Sequence, residues 1–266
     1  MGLAKVREGS RTSLALTPVG SNRNFKGAEN RLSANQRIMD TPSLDDIWQE
    51  TLSLNDFDIG HLEAAVTRNQ RPAYGLTLVV YPLCLTVPPS AAVLSQLRLA
   101  CEQALPCAFF PEEILHFTIY SLRRSQPEPF PPTELEELWN RLVSELWRIL
   151  EATPSFAISL HGLAVTADGA ILIGVDDNLI LHHLRRAVEA IPGISPPRSY
   201  LPHVTIGQVL APCGSAEGFR QTMGYLRAWQ DVSVGNLSVP TLKLIYYSSR
   251  LLANVERQAR FTLKKV

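Results

Sequence analysis

The chain has 266 residues, of which 45% are apolar and 19% charged, with 25 basic and 25 acidic side chains and a formal net charge of zero. That length can bury a sizeable core as one large domain or as two small lobes, and the composition is that of an ordinary globular protein. The even balance argues against a general binder of long nucleic acid, which carries a marked basic excess, and leaves room for a small basic pocket.

Residues 1–40 differ from the rest: they carry a local charge of +4, are rich in Ser, Asn and Gly, and show no sustained period. They read as a flexible N-terminal arm. A mild Arg/Ser bias leaves an organelle transit peptide open, while the lack of an apolar stretch argues against a secretory signal. Residues 41–72 read as a short helical appendage. Ser43 is placed to cap a helix carrying Leu44, Ile47, Trp48 and Leu52, with Asp46 completing a capping box. A second short helix is expected over Asp58 to Thr67. Residues 73–266 then form the main domain.

In that domain Tyr74 to Tyr81 reads as a strand. It opens the most apolar run, Leu76 to Val87, which is too short for a membrane span and contains Pro82. Ser90 to Ala104 shows helical spacing, Glu113 to Leu122 is a strand, and Thr133 caps a long amphipathic helix reaching about Ala152. The second half repeats the plan: a strand from Phe156 to Val165, a turn at Asp168-Gly169, a strand from Ala170 to Val175, and a helix from Leu179 to Ala190. A strand from Leu201 to Leu210 and a helix from Ser215 to Trp229 follow. Three strands, Val232 to Val239, Leu242 to Ser248 and Gln258 to Lys264, close the chain. Helices mixed with hairpin-connected strands point to an α+β protein with antiparallel sheets. The repeated order of strand, helix and strand suggests two related lobes, each with a sheet and flanking helices, facing across a central cleft.

Cys84, Cys101, Cys107 and Cys213 form no CxxC and fit no zinc template. They read as reduced core thiols in a reducing, cytoplasmic setting. Adjacent His182 and His183 diverge on a helix and make no ligand pair. No metal site and no cofactor site is expected.

Two short segments carry the chemistry. His116-Phe117-Thr118-Ile119 and His203-Val204-Thr205-Ile206 both read His, apolar, Thr, apolar. In a strand the His and Thr share a face, roughly 6–7 Å apart. A histidine in an apolar strand is ordinarily core or surface filler, so one copy says little. Two copies among six histidines carry the signal. A pair of imidazoles across a cleft suits phosphoester cleavage: one takes a proton from the attacking oxygen, the other gives a proton to the leaving oxygen. His116 and His203 are the candidate acid and base, in an order left open. Thr118 and Thr205 are candidate donors to the non-bridging phosphoryl oxygens.

These motifs, with Tyr200-Leu201-Pro202 before the second and Gly207 after it, resemble the 2H phosphoesterase superfamily, and so do the strands around Leu242–Ser248 and Arg260–Leu263. The resemblance covers about residues 73 to 266. It implies a bilobal fold, metal-free chemistry, and a nucleotide or RNA-end substrate with a cyclic or 2′-linked phosphate. The chain departs from expectation in offering no single basic residue at a fixed offset after either motif. Arg198, in the Pro-rich turn before the second motif, is a candidate phosphate contact or a solvated arginine. Tyr200 faces away by alternation. Tyr120 shares parity with His116 and Thr118, so it is expected to face the cleft and stack on a base or wall the groove. A nucleotide or RNA-end binding module without turnover is the alternative function. A scaffold that recruits a partner through the helical appendage is a third. No membrane partner is expected, and the oligomeric state is open.

Overall fold

The structure, a computed structural model, describes residues 43–83, 90–194 and 201–265. In chain order the elements are α1 (Leu44–Ser53), α2 (Ile59–Gln70), β1 (Tyr74–Val80), α3 (Ser90–Ala104), β2 (Cys107–Phe109) and β3 (Phe117–Gln126). Then come α4 (Pro132–Leu150), β4 (Phe156–Thr166), β5 (Gly169–Val175), α5 (Ile180–Glu189) and β6 (His203–Val209). The chain closes with α6 (Ala216–Arg227), β7 (Ser233–Val239), β8 (Thr241–Tyr247) and β9 (Val255–Thr262). The expected N-terminal arm, Cys84, Arg198 and Tyr200 lie outside the described residues. Among the described residues no helix is long and apolar enough to cross a membrane.

The strands form two antiparallel sheets, ordered β3-β1-β8-β9 and β2-β6-β5-β4-β7. The α+β architecture with two sheets therefore stands, and β3 and β6, the two motif strands, approach one another across it. The lobes are not the two halves of the chain, however. β2, which the sequence reading missed, leaves the first half to pair with β6 (Cys107 with Val209). β8 returns from the C-terminus to pair with β1 (Leu78 with Leu244). The physical reason is edge completion: β1 exposes two edges, β3 covers one, and β8 satisfies the other.

Several boundaries move for local reasons. β3 starts at Phe117, because a 3₁₀ turn over Glu112–Ile114 occupies the positions expected to begin it. α4 starts at Pro132 with Pro131 as its N-cap, so Thr133 lies inside the first turn rather than capping it. The β4–β5 turn is Ala167-Asp168, since Gly169 already pairs with Thr166. Gly169 is glycine for another reason: a Cβ there would collide with the Gly207 carbonyl oxygen of β6. The strands approach too closely for a side chain.

The helical pair is part of the main body rather than an appendage. The Ser43–Asp46 capping box forms as the sequence predicts. α1 then buries Trp48 completely; its indole N–H donates to the Leu163 carbonyl at 3.0 Å. The Thr51 hydroxyl donates to the Val165 carbonyl at 2.9 Å. Ile47 packs on Ala164, Ile171 and Ile173. Residue 73 is thus no boundary in the packing.

Candidate active site

Both motif histidines are set in the same way. The His116 ring Nδ1 lies 2.9 Å from the Ile114 carbonyl oxygen, and the His203 Nδ1 lies 2.8 Å from the Leu201 carbonyl oxygen. In each case the partner is the carbonyl two residues before. A carbonyl oxygen only accepts, so each Nδ1 carries the hydrogen and donates it. That leaves Nε2 as the basic nitrogen of each neutral ring. One local device, used twice, fixes two tautomers and two ring orientations.

The register puts both motifs on sheet faces turned away from the main core. In the second sheet, His203 pairs with Ile173 and Thr205 with Ile171, on the face against which Ile47 of α1 packs. In the first sheet, Thr118 pairs with Val79. The two histidines and Thr205 line one cavity of about 350 Å³, whose wall also includes Phe110 and Ile114. Thr118 lies on β3 two residues beyond His116 and is half-buried. Burial pushes the His116 pKa below the ordinary imidazole value. The hydrogen bond to Ile114 opposes that shift, and the nearby His203 adds to it.

Tyr120 does not face the cleft. Between Thr118 and Tyr120 the ladder with β1 slips: Thr118 opposes Val79, and Tyr120 opposes the next residue, Leu78. Ile119 is therefore a bulge, and one extra residue reverses which face the following side chains take. Tyr120 ends in the main core at 1% exposure, with the Arg185 guanidinium 5.2 Å from its ring centroid. Alternation alone does not reveal a bulge, so the sequence reading placed Tyr120 on the wrong side.

The basic residues that the motifs lack come from elsewhere. Arg68 and Asn69 of α2, together with Asp168, Arg250 and Leu251, complete the cavity wall. The Arg68 guanidinium is held by Asp168 at 2.7 Å. On β8, Lys243 pairs with Val79 of β1, so it shares a cross-strand row with Thr118, and Arg260 of β9 continues that row. The Lys243 ammonium stands 5.5 Å from the Tyr81 ring centroid. No local pattern marks these residues, since their proximity arises only from sheet order and from the docking of α2. Among the described residues no group of three or more His, Cys, Asp or Glu side chains is placed to hold a metal ion. The cavity can hold an anion between two imidazoles of fixed tautomer, with hydroxyl and guanidinium donors around it.

A family model described as the 2′-5′ RNA ligase superfamily matches residues 86–249, more than half of the chain. Among solved structures, the Thermus thermophilus protein TT0787 is 17% identical with a TM-score of 0.44, covering 72% of this chain and 98% of its own. A conserved protein of Agrobacterium tumefaciens is 17% identical with a TM-score of 0.46, covering 72% of this chain and 86% of its own. Escherichia coli LigT in its apo form is 15% identical with a TM-score of 0.40, covering 73% and 96%. No curated protein sequence matches the chain.

Proposed function

The chain belongs to the 2′-5′ RNA ligase superfamily, which gives it a phosphoesterase-type function, and from that premise we propose a more specific activity. The protein is a metal-independent phosphodiesterase that opens a 2′,3′-cyclic phosphate, or cleaves a 2′-linked phosphodiester, at a nucleotide or RNA end. The observation that carries this reading is the duplicated histidine arrangement. Two imidazoles with the same Nδ1 hydrogen bond line one cavity.

The mechanism follows from the two nitrogens. His116, whose proton affinity is lowered by burial, is the base. Its Nε2 takes a proton from water as the water oxygen bonds to phosphorus. His203, as imidazolium, gives its Nε2 proton to the ribose oxygen whose bond to phosphorus breaks. One proton is removed and one returned, so the enzyme regains the first state after the two rings exchange a proton with solvent. In the reverse direction the roles exchange. Thr118 and Thr205 donate hydrogen bonds to the non-bridging oxygens, where negative charge grows in the transition state. Cys101 and Cys107 take no part: burial pushes their thiols up to about 12, which keeps them protonated and poorly nucleophilic near neutral pH.

Turnover of nucleoside 2′,3′-cyclic monophosphates, 2′,5′-oligoadenylate and ADP-ribose cyclic phosphate, with and without excess chelator, tests this reading. The rate should survive the chelator. His116→Gln and His203→Gln should each cost about 10²–10⁴-fold, and the double variant little more than either alone. A rate abolished by chelator and restored by one divalent ion overturns the mechanism. So does a folded His203→Gln variant with wild-type turnover. Binding without turnover across the panel would favour a nucleotide-binding module instead.

A further inference from the structure

One short segment joins the two histidine motifs. At its start the Phe110 N–H donates to the carbonyl of Ile206, the residue after Thr205, at 2.9 Å. At its end the Ile114 carbonyl holds the His116 ring. Pro111 and the 3₁₀ turn over Glu112–Ile114 lie between. Phe110 and Ile114 are also part of the cavity wall. The path of this segment away from β6 therefore sets where the Ile114 carbonyl stands, and with it the His116 ring. The turn has few bonds of its own: Ile114 N–H to the Pro111 carbonyl and Leu115 N–H to the Glu112 carbonyl, both at 3.2 Å.

A side chain of α3 grips the segment. Arg98 follows the buried Leu94 by four residues, so it leaves the helix from the same side. Its Nη2 donates to the Phe110 carbonyl at 2.8 Å, and its guanidinium carbon lies 5.8 Å from the Phe109 ring centroid. Its Nη1 is 3.9 Å from the Glu112 carboxylate, a loose pair. The buried Nε has no hydrogen-bond partner among the described residues, so the side chain is placed for the Phe110 contact rather than for full pairing. The Phe110 residue is thus held on both sides, by Ile206 at its N–H and by Arg98 at its carbonyl.

We propose that Arg98 is a positioning residue for the two-histidine reaction: its bond to the Phe110 carbonyl fixes the segment that carries the Ile114 carbonyl, and through that carbonyl the His116 ring. The inference rests on the phosphodiesterase reading above. Arg98 is not part of the cavity wall, so it acts through Phe110 and Ile114 and not on the substrate. Its charged N–H makes a stronger bond to a carbonyl than a neutral donor does. Without it the segment keeps its bond to Ile206 but can swing about that point. The Ile114 carbonyl then moves off the His116 Nδ1, and the ring loses both its fixed tautomer and its spacing from His203. A misplacement of about 1 Å costs on the order of 10²-fold in rate.

The test uses the full chain as wild type, Arg98→Gln, Arg98→Lys and Glu112→Gln. Two readouts are compared: turnover of a nucleoside 2′,3′-cyclic monophosphate, and nitrogen NMR of ¹⁵N-histidine-labelled protein, with the His116 signals among the six histidines assigned by their loss in His116→Gln. Arg98→Gln should lower kcat by about 10–10²-fold with little change in KM. Its neutral His116 should show mixed tautomers in place of the Nδ1–H form, while the His203 ring, held by Leu201, keeps its own. The Ile114 bond raises the His116 pKa, so its loss should move the His116 titration, and the acid limb of kcat/KM, further down. The other charged groups of the cavity, His203, Arg68, Asp168 and Arg250, are untouched by the substitution. Arg98→Lys, which can still donate to the Phe110 carbonyl, should recover part of both readouts, and Glu112→Gln should stay within about twofold of wild type. A folded Arg98→Gln protein with a lowered Tm but wild-type kcat and His116 signals overturns the proposal. If Arg98→Gln does not fold, Arg98→Lys decides it: His116 signals and kcat unchanged from wild type while Tm falls overturn it equally. If wild type turns over no substrate, the phosphodiesterase reading falls, and the His116 tautomer in Arg98→Gln still shows whether Arg98 positions the ring.

Discussion

Gly174→Ala probes the spacing of the two histidines without touching either. Gly174 sits on β5, next to Ile173, which pairs with His203, and its N–H donates to the Pro202 carbonyl at 2.9 Å. Its open side meets the other sheet. A Cβ at this position would stand 2.5 Å from Phe117 Cε2 and 3.0 Å from both Phe117 Cζ and Ile158 Cγ2. Phe117 follows His116 directly and is fully buried, so its ring has no solvent-side refuge. Restoring ordinary contact needs a relative shift of about 1 Å between β5 and β3. Overpacking of this kind costs about 1–3 kcal/mol, which for a domain of this size lowers Tm by about 2–12 °C. The shift also separates His203 from His116. A misplacement of about 1 Å is worth on the order of 10²-fold in rate, so kcat/KM on a cyclic mononucleotide should fall by that order. Adding Phe117→Leu to Gly174→Ala removes the opposing ring and should recover part of the rate, a coupling visible only in the double variant. Near-UV circular dichroism reports whether each variant is folded. A folded Gly174→Ala protein with lowered Tm and kcat/KM within twofold of wild type would refute the idea that this contact sets the spacing.

Three further predictions concern the site and its support. Burial lowers the His116 pKa from 6.5, so the unfolded chain binds its proton more readily; stability from this group is complete above about pH 6.5 and is lost as pH falls toward the folded pKa. His116→Gln should flatten that part of the Tm–pH curve, and the acid limb of wild-type kcat/KM should lie below 6.5. Thr205→Ala, removing one neutral donor from the cavity, should lower kcat on the order of 10-fold with little change in KM; a change confined to KM would make it a ground-state contact. Trp48→Ala should cost about 3–5 kcal/mol in urea unfolding, because the indole is fully buried and hydrogen-bonded to Leu163; a loss under about 1 kcal/mol would return α1 to the status of an appendage.

Much of the fold follows from local rules. Hydrophobic period marked α3, α4 and α5, a continuous apolar run marked β1, the Asp-Gly turn signal marked the β4–β5 hairpin, and Ser43 with Asp46 announced α1, because capping, period and turn chemistry act over a few residues. The same short range exposed the two His-x-Thr motifs, since a strand presents His and Thr side by side wherever it lies. What the sequence alone could not decide was everything set by long-range docking. Which strand completes which sheet edge placed β2 beside β6 and β8 beside β1. A single bulge at Ile119, stabilised only within the paired ladder, turned Tyr120 from the cleft into the core. The seating of α1 and α2 brought Arg68 and Asn69 to the histidines across more than a hundred residues of intervening chain before His203. Sequence determined the reactive groups and their local geometry, because those depend on neighbours along the chain. Tertiary structure decided the walls of the cavity, because side chains distant in sequence meet only when the buried faces of separate elements are satisfied together.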